Sequence, residues 1–489
     1  MRSYDSVVAH AAFPTLTIHA DRFEAEGAFA ESQAAYLDPD PDEVAALQRL
    51  LEDKNAGVVA HFYMDPELQG VLAACEWPHI HISDSLAMAD AAIGMVEGGA
   101  RTIVVLGVDF MSENVRAMLD ASGHADVPVY RVAMEPIGCS LAESAEAAAY
   151  GAYLQKAARV PSSLHVVYIN TSLITKARAH ALVPTITCTS SNVVKTVLQA
   201  FAQIPEANVW FGPDTYMGKN LAELFRSLAE LPVEQIRALH PAHDQASIRR
   251  VSQHFHYFEQ GTCIVHHMFG AEVAERVRQD YPDAFVTAHL EVPGEMFQVA
   301  LEKQRHGQGA VGSTSDILSF IGKKVDEAVS GRLSFVLGTE AGMVTSIVRR
   351  VRSALRARPQ VAVDIVFPVA SEAIAATGDA ELAVVPGVAG GEGCSTAGGC
   401  ATCPYMKMNS LDALLELLGR VGVAGKVSLA PFEPRKYVEQ VAGHTAAEMG
   451  GRPILHMRHF QKHGRLSDEL VLDIQTRAQG SDPTAVKAC

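Results

Sequence analysis

Positive charge is scarce in this chain: 40 Lys and Arg residues face 56 Asp and Glu, for a formal net charge of −16 at pH 7. Neutralising phosphates needs a basic face, so no nucleic-acid partner is expected. Long apolar runs are missing too. None approaches the roughly 20 residues of a membrane span, so no membrane association is expected. The opening stretch MRSYDSVVAHAAFPTLTIHADRF lacks a basic segment followed by an apolar run, which predicts no secretory signal. Eight cysteines in 489 residues do not make a disulfide framework. These absences predict a soluble cytoplasmic protein. With 48% hydrophobic residues and a length suited to about three domains, it has enough chain for a large core.

What is present is a repeat. A short apolar strand ending in polar residues two apart occurs as GVVAHFYMDPELQG, LHVVYINTSLITKA and AFVTAHLEVPGEMF. The polar pairs are His61 and Tyr63, Tyr168 and Asn170, and His289 and Glu291. Residues two apart on a strand share a face, so each pair is expected to point one way. A second strand end, rich in hydroxyls, follows as HISDSLAMAD, TCTSSNVVK and GSTSDILSF. Each cluster precedes a helical pattern, where Ser, Thr and Asp are expected to cap free N–H groups. The third element is TIVVLGVDFMSEN, NVWFGPDTYMGKN and LSFVLGTEAGMVT: an apolar strand, then Gly, one residue, and an acid. Helical stretches precede each pass, so βαβ units with parallel sheets are expected. Ligands bind beyond the carboxyl ends of such strands. Three small α/β domains should therefore face a shared centre.

Each pass ends in a cysteine at a loop-to-helix transition: Cys139 in PIGCSLAESAE, Cys263 in EQGTCIVHHMFG and Cys403 in CATCPYMKMNSL. A helix N-terminus is expected to lower a thiol's pKa towards the thiolate a metal needs. Three thiolates converging from three domains are open to three readings: zinc with a further ligand, an iron–sulfur cluster with one open iron, or satisfied core cysteines. Cys75 and Cys188 read as small buried hydrophobes, and Cys489 as part of a mobile tail.

Taken together, AHFYMDPELQ, SDSLAMA, GVDFMSEN, GCSLAES, YINTSLITKA, CTSSN, FGPDTYMGKNLA, CIVHHMF, GSTSDI, GTEAGM and CPYMKMNSL resemble the quinolinate synthase family, over about residues 50 to 420. The resemblance implies an α/β protein of three homologous α/β/α domains with short parallel sheets, in a pseudo-threefold triangle around a central [4Fe–4S] cluster. It implies Cys139, Cys263 and Cys403 as cluster ligands, with Cys394 and Cys400 as extra cysteines outside the ligand set. It implies a transferase of NAD (pyridine nucleotide) biosynthesis. Such an enzyme condenses iminoaspartate with dihydroxyacetone phosphate to quinolinate, phosphate and water, fed by an aspartate-oxidising partner enzyme.

The same resemblance implies Tyr63, Glu291, His61 and His266 as the catalytic set. Substrate-binding positions would be His61, Ser85, Tyr168, Asn170, Ser190, His289, Glu291, Ser313 and Thr314. The expected division is an N-terminal extension at 1–41, α/β repeats at 42–139, 140–263 and 264–420, and a C-terminal extension at 421–489. Plainer roles are expected elsewhere. His267 reads as structural, Ser85 as a cap as well as a ligand, and Asp109, Asp214 and Glu340 as turn or packing residues at least as readily as catalysts. GRPILHMRHFQKHGRLSDEL reads as a packing tail. His289-Leu290-Glu291 stands where many members have His-Pro-Glu. Two other readings compete: another cluster-dependent hydro-lyase acting on a small carboxylate, and a non-catalytic redox sensor.

Overall fold

A computed structural model describes residues 12–85, 87–263, 265–368, 384–385, 394–395, 403–423 and 428–479. The chain begins with strands β1 (Thr15–Ile18) and β2 (Phe23–Glu26). Three βα passes follow, and each builds a parallel sheet. The first contains β3 (Ala56–His61), β4 (Ile80–Ser83), β5 (Thr102–Leu106) and β6 (Val129–Arg131), in the order β4-β3-β5-β6. The second contains β7 (Ser163–Tyr168), β8 (Thr185–Cys188), β9 (Asn208–Gly212) and β10 (Phe255–Tyr257), in the order β8-β7-β9-β10. The third contains β11 (Phe285–His289), β12 (Gly309–Gly312), β13 (Gly331–Gly338) and β14 (Val361–Val366), again with the first strand between the second and third. Even the register repeats: His61 pairs with Ser83, Tyr168 with Cys188, and His289 with Gly312. The expected α/β architecture of repeated short parallel sheets is what the chain forms.

Continuous apolar strands fit sheets that are covered on both faces. Val59, Ile103 and Val105 face one core, while Val58, Val104 and Leu106 face another across the same sheet. The first of these cores continues into the second sheet through Val166 and Phe211, and into the third through Val286 and Ala288.

The terminal segments join the repeats. The β1–β2 hairpin extends the third sheet, with β1 antiparallel to β14 and Thr15 opposite Val366. Helix Leu411–Arg420 returns to the first unit, packing Leu414 and Leu418 with Leu47 and Leu51. Helix Ala446–His463, from the His-rich stretch, packs on helix Leu173–Leu182 and on β8. Among the described residues, no helix is long and apolar enough to cross a membrane.

Candidate active site

The carboxyl ends of β3, β7 and β11 converge on one cleft enclosing about 740 Å³, its open mouth included. His61, Tyr168 and His289 are the last residues of their strands, and Tyr63, Asn170 and Glu291 lie two residues beyond. Each pair still faces the cleft, although its second member has left the strand. The turn is pinned locally in two of the three. His61 Nδ1 accepts the Tyr63 N–H at 3.2 Å, and His289 Nδ1 accepts the Glu291 N–H at 3.3 Å. An Nδ1 that accepts leaves the proton of a neutral imidazole on Nε2. Burial lowers His61 to about 4 and His289 to about 3, so both are neutral near pH 7.

Glu291 is the electrostatic centre. Its Oε2 lies 3.1 Å from His266 Nδ1, and its Oε1 accepts a hydrogen bond from the Tyr168 hydroxyl. Burial alone would raise this carboxyl, but His266, His289 and Tyr168 together bring it down to about 2. Burial likewise opposes a charge on His266, yet Cys263 and Glu291 raise it to about 10. Both shifts favour an imidazolium–carboxylate pair. Tyr63 and Tyr168 are both pushed well above the usual phenol range, first by burial and then by Glu291, so each keeps its proton. Tyr63 is held from behind. Gln69 Nε2 donates to the carbonyls of Phe62 at 2.5 Å and Gly342 at 2.7 Å, and a Cβ on Gly342 would fall 2.7 Å from Tyr63 Cα.

Cys139, Cys263 and Cys403 all line the cleft, each a free thiol. Each carbonyl accepts the N–H four residues on: Cys139 from Glu143 at 3.0 Å, Cys263 from His267 at 3.2 Å, and Cys403 from Lys407 at 3.3 Å. The loop after the third strand of each unit ties down the cysteine segment. Asp109 N–H donates to the Ile137 carbonyl at 3.0 Å, and Thr215 N–H to the Gly261 carbonyl at 2.7 Å. In the third unit, the Cys403 N–H donates to Glu340 Oε1 at 2.5 Å. Gly261 is required for this approach, since a Cβ there would sit 2.3 Å from the Pro213 oxygen.

Two expectations about the cysteines change. Only Cys139 directly precedes an α-helix (Ser140–Glu146); Cys263 and Cys403 precede single 3₁₀ turns, His266–Met268 and Met406–Met408. Nor are the thiols acidified. Burial raises Cys139 and Cys263 to about 11, and Cys403 further, outweighing the nearby N–H groups. Metal binding would displace the proton from such thiols, since a ligating cysteine is deprotonated.

The residues fit such a group. Three soft sulfur donors share one cleft with a mixed set: ligand atoms of Cys263, His266 and Glu291 lie within 4.8 Å of one another. His266 Nε2 is buried with no protein partner. Cys394 lies in the short strand Cys394–Ser395, paired with Val384–Val385; Cys400 and Cys489 lie outside the described residues.

Of the substrate positions read from sequence, Ser85, Asn170, Ser190 and Thr314 line the cleft with the residues above. Ser313 does not. It is fully buried as the N-cap of helix Thr314–Glu327, its hydroxyl donating to Asp316 Oδ2 at 2.7 Å. Ser85 makes no cap, because helix Met88–Glu97 starts from Ala87 without a side-chain bond; Asp84 Oδ1 accepts the Ala87 N–H instead, at 3.4 Å. His267 is exposed and bonded to Tyr216.

Glu340 is the residue sequence reasoning set aside. It is 1% exposed, lines the cleft, and is raised well above the carboxylate range by burial, with Glu291 adding to the rise. Its signal was the acid after the repeat glycine, but that position does three different jobs. Asp109 pairs with Arg131 at 2.6 Å, and Asp214 caps helix Thr215–Leu228 through the Met217 N–H at 2.7 Å.

Comparison with known proteins matches this architecture. A family model, Quinolinate synthetase A protein, matches residues 45–431. The chain is 55% identical over 477 residues to "Quinolinate synthase, chloroplastic" of Arabidopsis thaliana, covering 94% of this chain and 66% of that protein. A protein of the same name from Nicotiana tabacum is 52% identical over 493 residues, covering 97% and 68%. One from Oryza sativa subsp. japonica is 51% identical over 486 residues, covering 94% and 68%. The chain thus spans about two thirds of the length of these relatives. Their names overturn the cytoplasmic expectation, because all three are chloroplastic proteins. On the matched length and these identities, the chain belongs to the quinolinate synthetase A family.

Proposed function

We propose that this chain is a quinolinate synthase, condensing iminoaspartate with dihydroxyacetone phosphate to quinolinate, phosphate and water. The observation that carries the reading is the cleft, where one thiol from each of three proposed α/β repeats (42–139, 140–263, 264–420) meets the Glu291–His266 pair. Cys139, Cys263 and Cys403 would hold a [4Fe–4S] cluster. When bound through three thiolates, such a cluster supplies an iron with an open position, a Lewis acid for a substrate oxygen.

The chain's own groups do the rest. Glu291 is the base: a carboxylate kept ionised by His266, able to accept a proton from a substrate carbon or nitrogen. His266 carries the proton it returns. Tyr63, protonated and set against the His61 ring at 4.7 Å between centroids, donates to a developing oxyanion. Neutral His61 and His289 donate from Nε2. Ser85, Ser190, Asn170 and Thr314 receive carboxylate and phosphate oxygens through neutral donors, which suits a chain with little positive charge. An aspartate-oxidising enzyme is the proposed supplier of the imine.

Anaerobic purification with iron and sulfide analysis, and a quinolinate assay from both substrates, tests the reading. Cluster with quinolinate supports it. Cluster without quinolinate turns the reading to a hydro-lyase or a redox sensor. Zinc in place of iron, or no metal after reconstitution, overturns it.

A further inference from the structure

Behind the cleft wall lies a buried lysine that the proposed chemistry does not use. Lys176, on helix Leu173–Leu182, is fully buried. Its Nζ donates to the Ile169 carbonyl at 3.1 Å and to the Thr171 carbonyl. Those two carbonyls flank Asn170, which lines the cleft. The turn is closed twice more, by the Thr171 N–H to the Ile169 carbonyl at 2.7 Å and by Thr171 Oγ1 to the Tyr168 carbonyl at 3.1 Å. Asn170 is thus the projecting residue of a loop clasped from behind by one lysine Nζ.

The clasp has its own support. Glu113, buried on helix Asp109–Ala121, accepts the N–H of Leu173, the first residue of the lysine's helix, at 3.2 Å. Its other oxygen accepts the hydroxyl of Tyr437 at 2.7 Å. Burial pulls Lys176 down to about 7, and the Glu113 carboxylate opposes that fall. Tyr437 is itself buried and lies beyond residues 45–431, the stretch matched by the family model. Burying a lysine and a glutamate to close one turn is expensive unless the turn must hold one geometry.

We propose that Lys176 is a positioning residue that fixes Asn170 for substrate binding, and that the C-terminal segment sustains it through Tyr437 and Glu113. This rests on the reading of Asn170 as a substrate ligand.

The test is a double-mutant cycle on the cluster-loaded full-length enzyme, with imine generated in situ and KM measured for each substrate. Lys176→Met keeps the side chain's length and removes its donors. It should raise KM for one substrate about tenfold while kcat stays within about twofold, the pattern of lost binding shared by ground and transition states. In an Asn170→Ala background the same change should add less than about twofold, because residues acting as a unit are not additive. Tyr437→Phe should raise the same KM by roughly threefold, in line with one lost hydrogen bond. It decides the matter where Lys176→Met does not fold. Additive effects in the Asn170→Ala background, or unchanged KM in a folded variant, would overturn the proposal with wild-type turnover intact. Wild-type enzyme that makes no quinolinate would instead remove the functional reading, and this inference with it.

Discussion

Asp84 Oδ2 accepts a hydrogen bond from Ser191 Oγ at 3.0 Å, which bridges the first and second sheets at the cleft. Ser315 Oγ, from the third, reaches the same oxygen at 3.4 Å. Each partner is the sequence neighbour of a cleft hydroxyl: Ser85, Ser190 and Thr314. One carboxylate thus ties together the segments that carry three proposed anion-binding positions. Asp84→Ala should raise KM for both substrates about tenfold, since bonds to a charged acceptor are worth about 1.5–3 kcal/mol. Asp84→Asn, which retains an acceptor oxygen, should recover part of that loss. Steady-state kinetics on both variants checks this, and wild-type KM values in Asp84→Ala would refute it.

Glu291→Gln leaves the shape of the cleft and removes its proposed base. kcat should fall by at least about 100-fold, the usual scale for a lost general base. Iron and sulfide content should stay at wild-type levels. A variant with full turnover would take Glu291 out of the chemistry.

Glu340 holds the Cys403 backbone with a carboxyl that burial raises well above its ordinary range. Glu340→Gln preserves the acceptor oxygen and should keep iron. Glu340→Leu leaves a buried N–H unpaired, at about 1–3 kcal/mol, and frees the cysteine segment. Iron per chain should drop in the leucine variant alone. Equal iron in both would show that Cys403 holds its place without this bond.

Gly342 sits against the Tyr63 backbone, where a Cβ would meet the Phe62 oxygen at 2.5 Å. Gly342→Ala should destabilise the fold by about 1–3 kcal/mol and lower kcat by moving Tyr63. Gly94, where a Cβ meets nothing within 4 Å, is the control. Melting curves and kcat for the two variants should separate cleanly.

His165 carries a pH prediction free of the thiols. It is fully buried, with Nε2 2.8 Å from the Tyr150 hydroxyl, and burial lowers it to about 3 from an ordinary 6.5. The unfolded chain therefore protonates first as pH falls. Stability should be full above about pH 6.5 and decline towards pH 3, with a slope of up to about 1.4 kcal/mol per pH unit from this residue. His165→Gln should flatten the stability profile between pH 7 and 5, and an unchanged slope would contradict the assignment.

Much of this arrangement was legible in the sequence because it is local. Strand ends, the polar pairs and the three cysteines repeat at similar spacing, and periodicity reveals them without knowledge of the tertiary structure. Ser313 proves to cap a helix, and a capping hydroxyl and a ligand hydroxyl look alike before burial is known. The thiols were expected to be acidic from their place before helices, but desolvation outweighed the nearby N–H groups. Glu340, Asp84 and Lys176 act through partners 63, 107 and 231, or five and seven, residues away, and only folding sets those pairings. The terminal segments gave no periodic signal of their own, because their role is to complete surfaces built by other parts of the chain.

The pairing of β1 with β14 has a consequence for how the molecule is made. Residues 15–18 are synthesised well before their partners, Val363 to Val366, which come roughly 350 residues later. At a synthesis rate of about 5–20 residues per second, that strand waits on the order of 20–70 s for its neighbour. Through that interval a nascent chain with its first two sheets formed still carries an unpaired hairpin edge, open to other chains. Assembly of the third sheet is thus the step that closes this edge.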